Sequence, residues 1–261
     1  MIKITYIYMI VIVLLVSLCT PLYCENDVRG KAETLFIEAQ KELANGNEQS
    51  AEELLKESLK VDPSFTSAIW QLAQIYQKQG KLEFARELML RGLKIDPGAT
   101  WARGKLKEIE RSLCSRLMSQ ASNFIGDGEY SKAIPKLSLY LGIRPGDIDA
   151  LTLLARSHLA MGNLEVARGY LIDALKIDPT NNTVALLLDR VDEKINESSI
   201  NAMIAKAKKL LANYSPETGE ETRKILISIL DKDPENNWAK EKLNELNLVI
   251  CLLYTSPSPR D

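Results

Sequence analysis

The sequence predicts an all-α chain, an α-solenoid of helical hairpins with two or more extended helices between repeats. Three observations carry this. A short motif ending in Pro recurs along the chain, small residues recur at fixed places before each Pro, and a Gly falls between them. A helical hairpin this short cannot shield its own apolar face, so such units stack in a row and cover one another.

The motif reads Lys60-Val61-Asp62-Pro63, Lys94-Ile95-Asp96-Pro97, Gly142-Ile143-Arg144-Pro145 and Lys176-Ile177-Asp178-Pro179, with a fifth, weaker copy at Asp231-Lys232-Asp233-Pro234. Pro63 and Pro97 stand 34 residues apart, as do Pro145 and Pro179. Aligned on the Pro, Ala39, Ala73, Ala121 and Ala155 occupy one column and Ala51, Ala85, Ala133 and Ala167 a second. Gly46, Gly80, Gly128 and Gly162 fall between them, and Leu55, Met89, Leu137 and Leu171 follow. Each unit therefore reads helix, turn, helix. The Ala pairs mark where two antiparallel helices cross closely. The Gly ends the first helix in a left-handed conformation. Asp-Pro stops the second helix, because the residue before Pro resists helical geometry. Asp is then expected to cap the next helix, with Pro at its first position.

Two longer spacings interrupt the register: 48 residues from Pro97 to Pro145 and 55 from Pro179 to Pro234. The extra residues open alike, at Trp101-Ala102-Arg103 and Trp238-Ala239-Lys240. Trp101, Leu106, Ile109 and Leu113 share one stripe, and no Gly or Pro lies between Lys105 and Ile125. This predicts one long helix over 99–125, a second extended helix after the fourth unit, and a closing helix over 236–250. The expected organisation is two units plus an extra helix over 29–113, two more plus an extra helix over 114–198, and a degenerate unit with a closing helix over 199–250. In that last unit Thr222 replaces the second Ala, and Tyr214-Ser215-Pro216 stretches the turn. Pro135 lies early in a second helix, tolerable only within the first turn or as a kink.

These residues resemble the tetratricopeptide repeat. The second unit carries Trp70, Leu72, Ala73, Tyr76, Gly80, Ala85 and Pro97 at the places that family uses, and the fourth carries Leu154, Ala155, Gly162, Ala167 and Pro179. The resemblance covers roughly residues 30–235 and implies a curved superhelix whose first helices line a concave wall that holds a protein or peptide partner. The positions matching groove-facing family positions are Phe36 and Gln40, then Trp70, Gln74, Gln77 and Lys78, then Met118 and Ser122, and finally Asp149, Thr152 and Arg156. Some family members grip a C-terminal carboxylate with a Lys and Asn clamp. Phe36 and Gln40 hold the first two of those places here, so that clamp is absent.

The 33 Lys and Arg against 35 Asp and Glu give a net charge of −2, which argues against nucleic acid as the main partner. One His and four Cys leave little for a metal site, and no phosphate loop, zinc-protease motif or nucleophile elbow occurs. No catalytic residue, metal or cofactor is expected. His158 falls at a packing place that holds Tyr76 in the second unit, and Cys114 reads as an inert thiol. Asn181, Asn196 and Asn213 each begin an Asn-x-Ser/Thr triplet, relevant only where exported proteins are glycosylated.

The two ends stand apart from the repeats. Lys3, an apolar run over 4–18 and a polar exit through Glu25-Asn26-Asp27 describe an export signal, cleaved or kept as an anchor with a membrane tether through 4–23. Cys19 and Cys24 raise a lipoprotein reading, but Leu18 and Tyr23 stand where a small residue is wanted. The protein is thus expected outside the cytoplasm, periplasmic or membrane-attached. Residues 251–261, Cys-Leu-Leu-Tyr-Thr-Ser-Pro-Ser-Pro-Arg-Asp, resemble the read-through translation of a transposase sequencing adapter. On that reading the tail is non-native, and a further domain is expected beyond 250. The leading expectation is a non-catalytic exported scaffold that organises an envelope complex by binding peptide segments. The alternatives are a small-molecule or lipid-binding accessory protein of a transporter, and the interaction arm of a longer enzyme.

Overall fold

The computed structural model describes residues 28–213 and 215–255. The predicted signal and tether, Tyr214 and the end of the tail lie outside the described residues. Among the described residues every regular element is an α-helix. In chain order these are α1 (28–44), α2 (Glu48–Val61), α3 (Thr66–Lys78), α4 (Leu82–Ile95), α5 (Thr100–Gly126), α6 (Tyr130–Ile143), α7 (Ile148–Ala160), α8 (Leu164–Ile177), α9 (Asn182–Ala212), α10 (Pro216–Lys232) and α11 (Asn237–Thr255). The two long helices are α5, within one residue of the predicted bounds at each end, and α9. The closing helix α11 runs past 250 to Thr255, where the chain meets Ser256-Pro257, a pair that disfavours helix.

Contacts divide the chain into two units after Ser119, within α5. In the first unit, Ala39 of α1 and Ala51 of α2 are both fully buried, as are Ala73 of α3 and Ala85 of α4. In the second, Ala155 of α7 and Ala167 of α8 are buried in the same way. Leu55, Met89, Leu137 and Leu171 each lie wholly inside. The core of the first unit runs from Ala32, Leu55 and Leu72 across to Ile69, Met89 and Ile109. That of the second runs from Leu151, Leu171 and Val191 to Ile200, Leu226 and Leu246. In α10, Thr222 stands buried at the second Ala place and satisfies its hydroxyl by donating to the Thr218 carbonyl at 2.7 Å.

The turns follow the repeated residues. Gly46, Gly80, Gly128 and Gly162 all have positive φ, from 73 to 81°. The amide after each closes the helix end, as in Lys81 N–H to the Tyr76 carbonyl at 2.9 Å and Asn163 N–H to the His158 carbonyl at 2.9 Å. The Asp-Pro pair acts differently from the sequence expectation. Asp62, Asp96, Asp178 and Asp233 open a β-turn with Pro second, and the next helix starts three residues after each Pro. Each Asp carboxylate accepts the amide two residues on, at 2.8, 3.0, 3.0 and 3.2 Å. Pro is therefore a turn residue and not the first residue of a helix. The helix caps fall to later side chains: Asp147 accepts from Ala150 N–H, Asn181 from Val184 N–H and Asn236 from Ala239 N–H. Arg144 cannot make the Asp-type turn, and there Asp147 also takes the Tyr140 hydroxyl at 2.6 Å. Pro135 sits in the sixth position of α6, beyond the first turn, with its ring exposed.

The register makes two stability predictions. Ala73→Leu or Ala155→Leu should overpack a helix crossing and cost about 1–3 kcal/mol in urea unfolding. A Cβ at Gly92 of α4 would overlap the Trp70 ring, whereas one at Gly104 of α5 meets nothing. Gly92→Ala should therefore destabilise by about 1–3 kcal/mol, and Gly104→Ala should stabilise by about 0.5–1 kcal/mol through helix propensity. Equal midpoints for these variants would refute the packing described.

Candidate functional site

The predicted groove positions of the first unit divide by burial. Trp70 is only 8 % exposed. Its ring lies over Gly92 and meets Trp101 of α5 edge-on, centroids 5.3 Å apart. This corrects its assignment to the groove wall: Trp70 is a core residue, and Trp101, 49 % exposed, shows its ring instead. Phe36 is half-buried against Phe65, at 5.4 Å and nearly perpendicular. Gln40 is exposed and Gln74 half-buried. Gln77 donates to Glu108 of α5 at 3.4 Å, and Lys78 stands 3.9 Å from Glu48. The hydrogen bond from Lys105, followed by its charge, holds the Glu108 carboxyl below the usual range. Met118 is half-buried.

A concavity of about 410 Å³ in this unit is lined by other residues, among them Leu59, Tyr76, Phe84 and Arg91. The Lys56 and Lys81 ammonium groups stand 5.9 and 5.2 Å from the Tyr76 ring centre. Elsewhere in the unit the arginines are engaged: Arg86 pairs with Glu110 at 2.9 Å, and Arg116 with Glu83 at 2.5 Å.

The second unit holds a larger trough, about 660 Å³. Its walls are α7, through Thr152, Leu153, Arg156 and Leu159, and α9, through Thr183, Leu186, Arg190 and Lys194. Ile125 and Tyr130 close one end. Thr152 is oriented by donating to the Ile148 carbonyl at 2.8 Å. Of the predicted residues in this unit, Thr152 and Arg156 meet in the trough, while Ser122 and Asp149 are exposed elsewhere on their helices. The α9 wall was missed because those residues were read only as an insertion. Its spacing, Thr183, Leu186, Leu187, Arg190, Lys194, is one continuous helical stripe and was the available signal.

The remaining chemical candidates lie at least partly inside the fold. His158 is half-buried, stacks on Tyr170 at 5.6 Å and has Nδ1 3.4 Å from the Asn163 amide nitrogen. Cys114 is buried. Among the described residues no group of three or more His, Cys, Asp and Glu could hold a metal ion, and no helix is long and apolar enough to cross a membrane.

A family model described as tetratricopeptide repeat matches residues 42–107 and 124–191, together about half of the chain. No curated protein matches the chain. Among solved structures, the C-terminal repeat domain of a putative FK506-binding protein of Plasmodium falciparum is 22 % identical, with 51 % of this chain and 90 % of that one covered and a TM-score of 0.34. A tetratricopeptide repeat protein from Parabacteroides merdae is 18 % identical, with 85 % and 74 % covered and a TM-score of 0.30. MamA from Desulfovibrio magneticus is 15 % identical, with 79 % and 97 % covered and a TM-score of 0.29.

The packing of His158 has a pH consequence. Burial holds its imidazole below the ordinary value of 6.5, so the fold disfavours the charged ring. Below that ordinary value the unfolded chain binds more protons, and stability falls as pH drops through it toward the folded value. The melting temperature should fall from about pH 7.5 to about pH 5.5, and less so in His158→Gln. Identical slopes for the two proteins would contradict this.

Proposed function

The chain belongs to the tetratricopeptide repeat family, and we propose that it is a non-catalytic scaffold, working outside the cytoplasm, that holds a segment of another protein. One observation carries the binding half of this reading. The second helices spend their apolar faces on packing, at Ala51, Leu55, Ala85, Met89, Ala167 and Leu171, while the first helices keep Gln40, Gln74, Thr152 and Arg156 at least partly open to solvent. Within each unit, first helices that leave polar groups open beside apolar ones suit a peptide held by hydrogen bonds and one or two apolar anchors. The export half rests on the charged start, the apolar run over 4–18 and the acidic exit. An envelope assembly is then the setting for the partner.

A photo-crosslinking residue at Gln74 or Thr152 should trap one defined partner protein in cells that make this chain. The same label at Glu57, exposed on a second helix, should trap none. Equal trapping from both faces would reject the binding reading. Residues 1–24 fused to alkaline phosphatase should give activity only outside the cytoplasm; an inactive, cytoplasmic fusion would reject export.

A further inference from the structure

We propose that the trough between α7 and α9 docks an acidic peptide segment of a partner protein, about five residues long, extended and carrying apolar side chains. This deepens the binding half of the reading above and rests on it.

The first and second units differ at two matched places. Counted from the Pro that ends the preceding repeat, Thr152 matches Trp70 and Thr183 matches Trp101. In the first unit the two indoles meet at 5.3 Å, Trp70 buried over Gly92 of α4 and Trp101 on α5 half exposed. In the second unit both rings are replaced by Thr, and both hydroxyl residues line the trough. Its lining includes the apolar side chains of Ile125, Leu153 and Leu187, and Leu186 among them is 67 % exposed.

Charge then selects the occupant. Arg156, Arg190 and Lys194 converge on the trough, and no carboxylate lines it. None of the three makes an ion pair among the described residues, although Arg168, at the other side of α9, is paired with Asp192 at 2.7 Å. Counted from the same Pro, Arg190 matches Glu108, so the two units carry opposite charges at this place. Three unpaired cations beside apolar side chains complement a segment that alternates Asp or Glu with Leu or Phe.

Length and shape restrict it further. Thr183 to Lys194 spans about 16 Å of helix, the reach of about five extended residues. An acyl chain is the poorer fit, because a wall as open as Leu186 would leave much of it in water.

The test uses the full chain and labelled peptides in fluorescence anisotropy. Acetyl-Asp-Leu-Glu-Phe-Asp should bind about tenfold more tightly than the Asn/Gln version, more tightly still than the Lys version, and more weakly as salt rises. Arg156→Glu and Arg190→Glu, both at exposed positions, should each weaken it about tenfold or more. Thr183→Trp, which restores a ring where Trp101 stands, should block binding by filling the space. Lys176→Glu, on a second helix, should change nothing, and melting curves should match throughout. Equal binding of acidic and neutral peptides overturns the proposal, as does indifference to Arg190→Glu or to Thr183→Trp. Displacement of the peptide by palmitate at equal concentration overturns it in favour of a lipid. Failure of all peptides while the Gln74 crosslink persists rejects this docking site and spares the scaffold. Failure of the crosslink as well rejects the scaffold.

Discussion

The close crossing of two helices at a pair of alanines is the constraint on which the rest of the fold depends. Ala39 and Ala51 are buried in one shared core, and Ala155 and Ala167 in another, as small residues are where the two backbones of a hairpin cross closely. That approach brings Leu55 or Leu171 into full burial one turn further along. It also leaves the hairpin too thin to enclose its own apolar surface. Ile69 and Met89 share their core with Ala102 and Ile109 of α5, and Leu171 shares its core with Val184 and Val191 of α9. Stability in such a chain is therefore a property of neighbours, and each element owes its burial to the next.

The ends of the helices are governed by two different turns. At one end, a Gly with positive φ lets the chain reverse within three residues and places the amides against the last carbonyls of the helix. At the other, Asp-Pro terminates the helix and turns the chain through a carboxylate that accepts its second-neighbour amide. Where the Asp is replaced by Arg144 no side-chain carboxylate stands at that place, while Asp147 caps the next helix as Asn181 and Asn236 do and also accepts the Tyr140 hydroxyl.

The periodic features were legible in the sequence because periodicity is geometry: a column of Ala at a fixed distance from Pro can only be the same crossing repeated. The long helix α5 was legible for a related reason, since nothing between Lys105 and Ile125 interrupts it. Three features were not. The Asp-Pro signature serves a turn or a cap equally well from sequence alone, and only the register of the next helix decides. Trp70 matched a groove position, but its burial depends on Gly92, a residue of the following helix whose missing Cβ makes room for the ring. The trough wall on α9 lay in an insertion, which alignment to the repeat sets aside by construction of the comparison itself. Thr152 and Arg156, which the repeat supplies, line the trough, as do Thr183, Leu186, Arg190 and Lys194, which the insertion supplies and the repeat pattern does not single out.

That asymmetry bears on how such a chain acquires a ligand. The repeat positions are tied to the crossing and to the core, so their chemistry is restricted to what packing permits. The inserted stretches at the starts of α5 and α9 carry no Ala column and no turn, and one of their faces is free to vary. In the first unit that face carries Trp101, Lys105 and Glu108; in the second it carries Thr183, Leu187 and Arg190 at the same distances from the preceding Pro. The first set closes the space with a ring and ties its acid to Gln77. The second opens the space and leaves its cations unpaired. Two similar scaffolds thus reach opposite surfaces through different side chains at matched places, some in the repeat (Trp70 and Thr152) and some in the inserted stretch (Glu108 and Arg190).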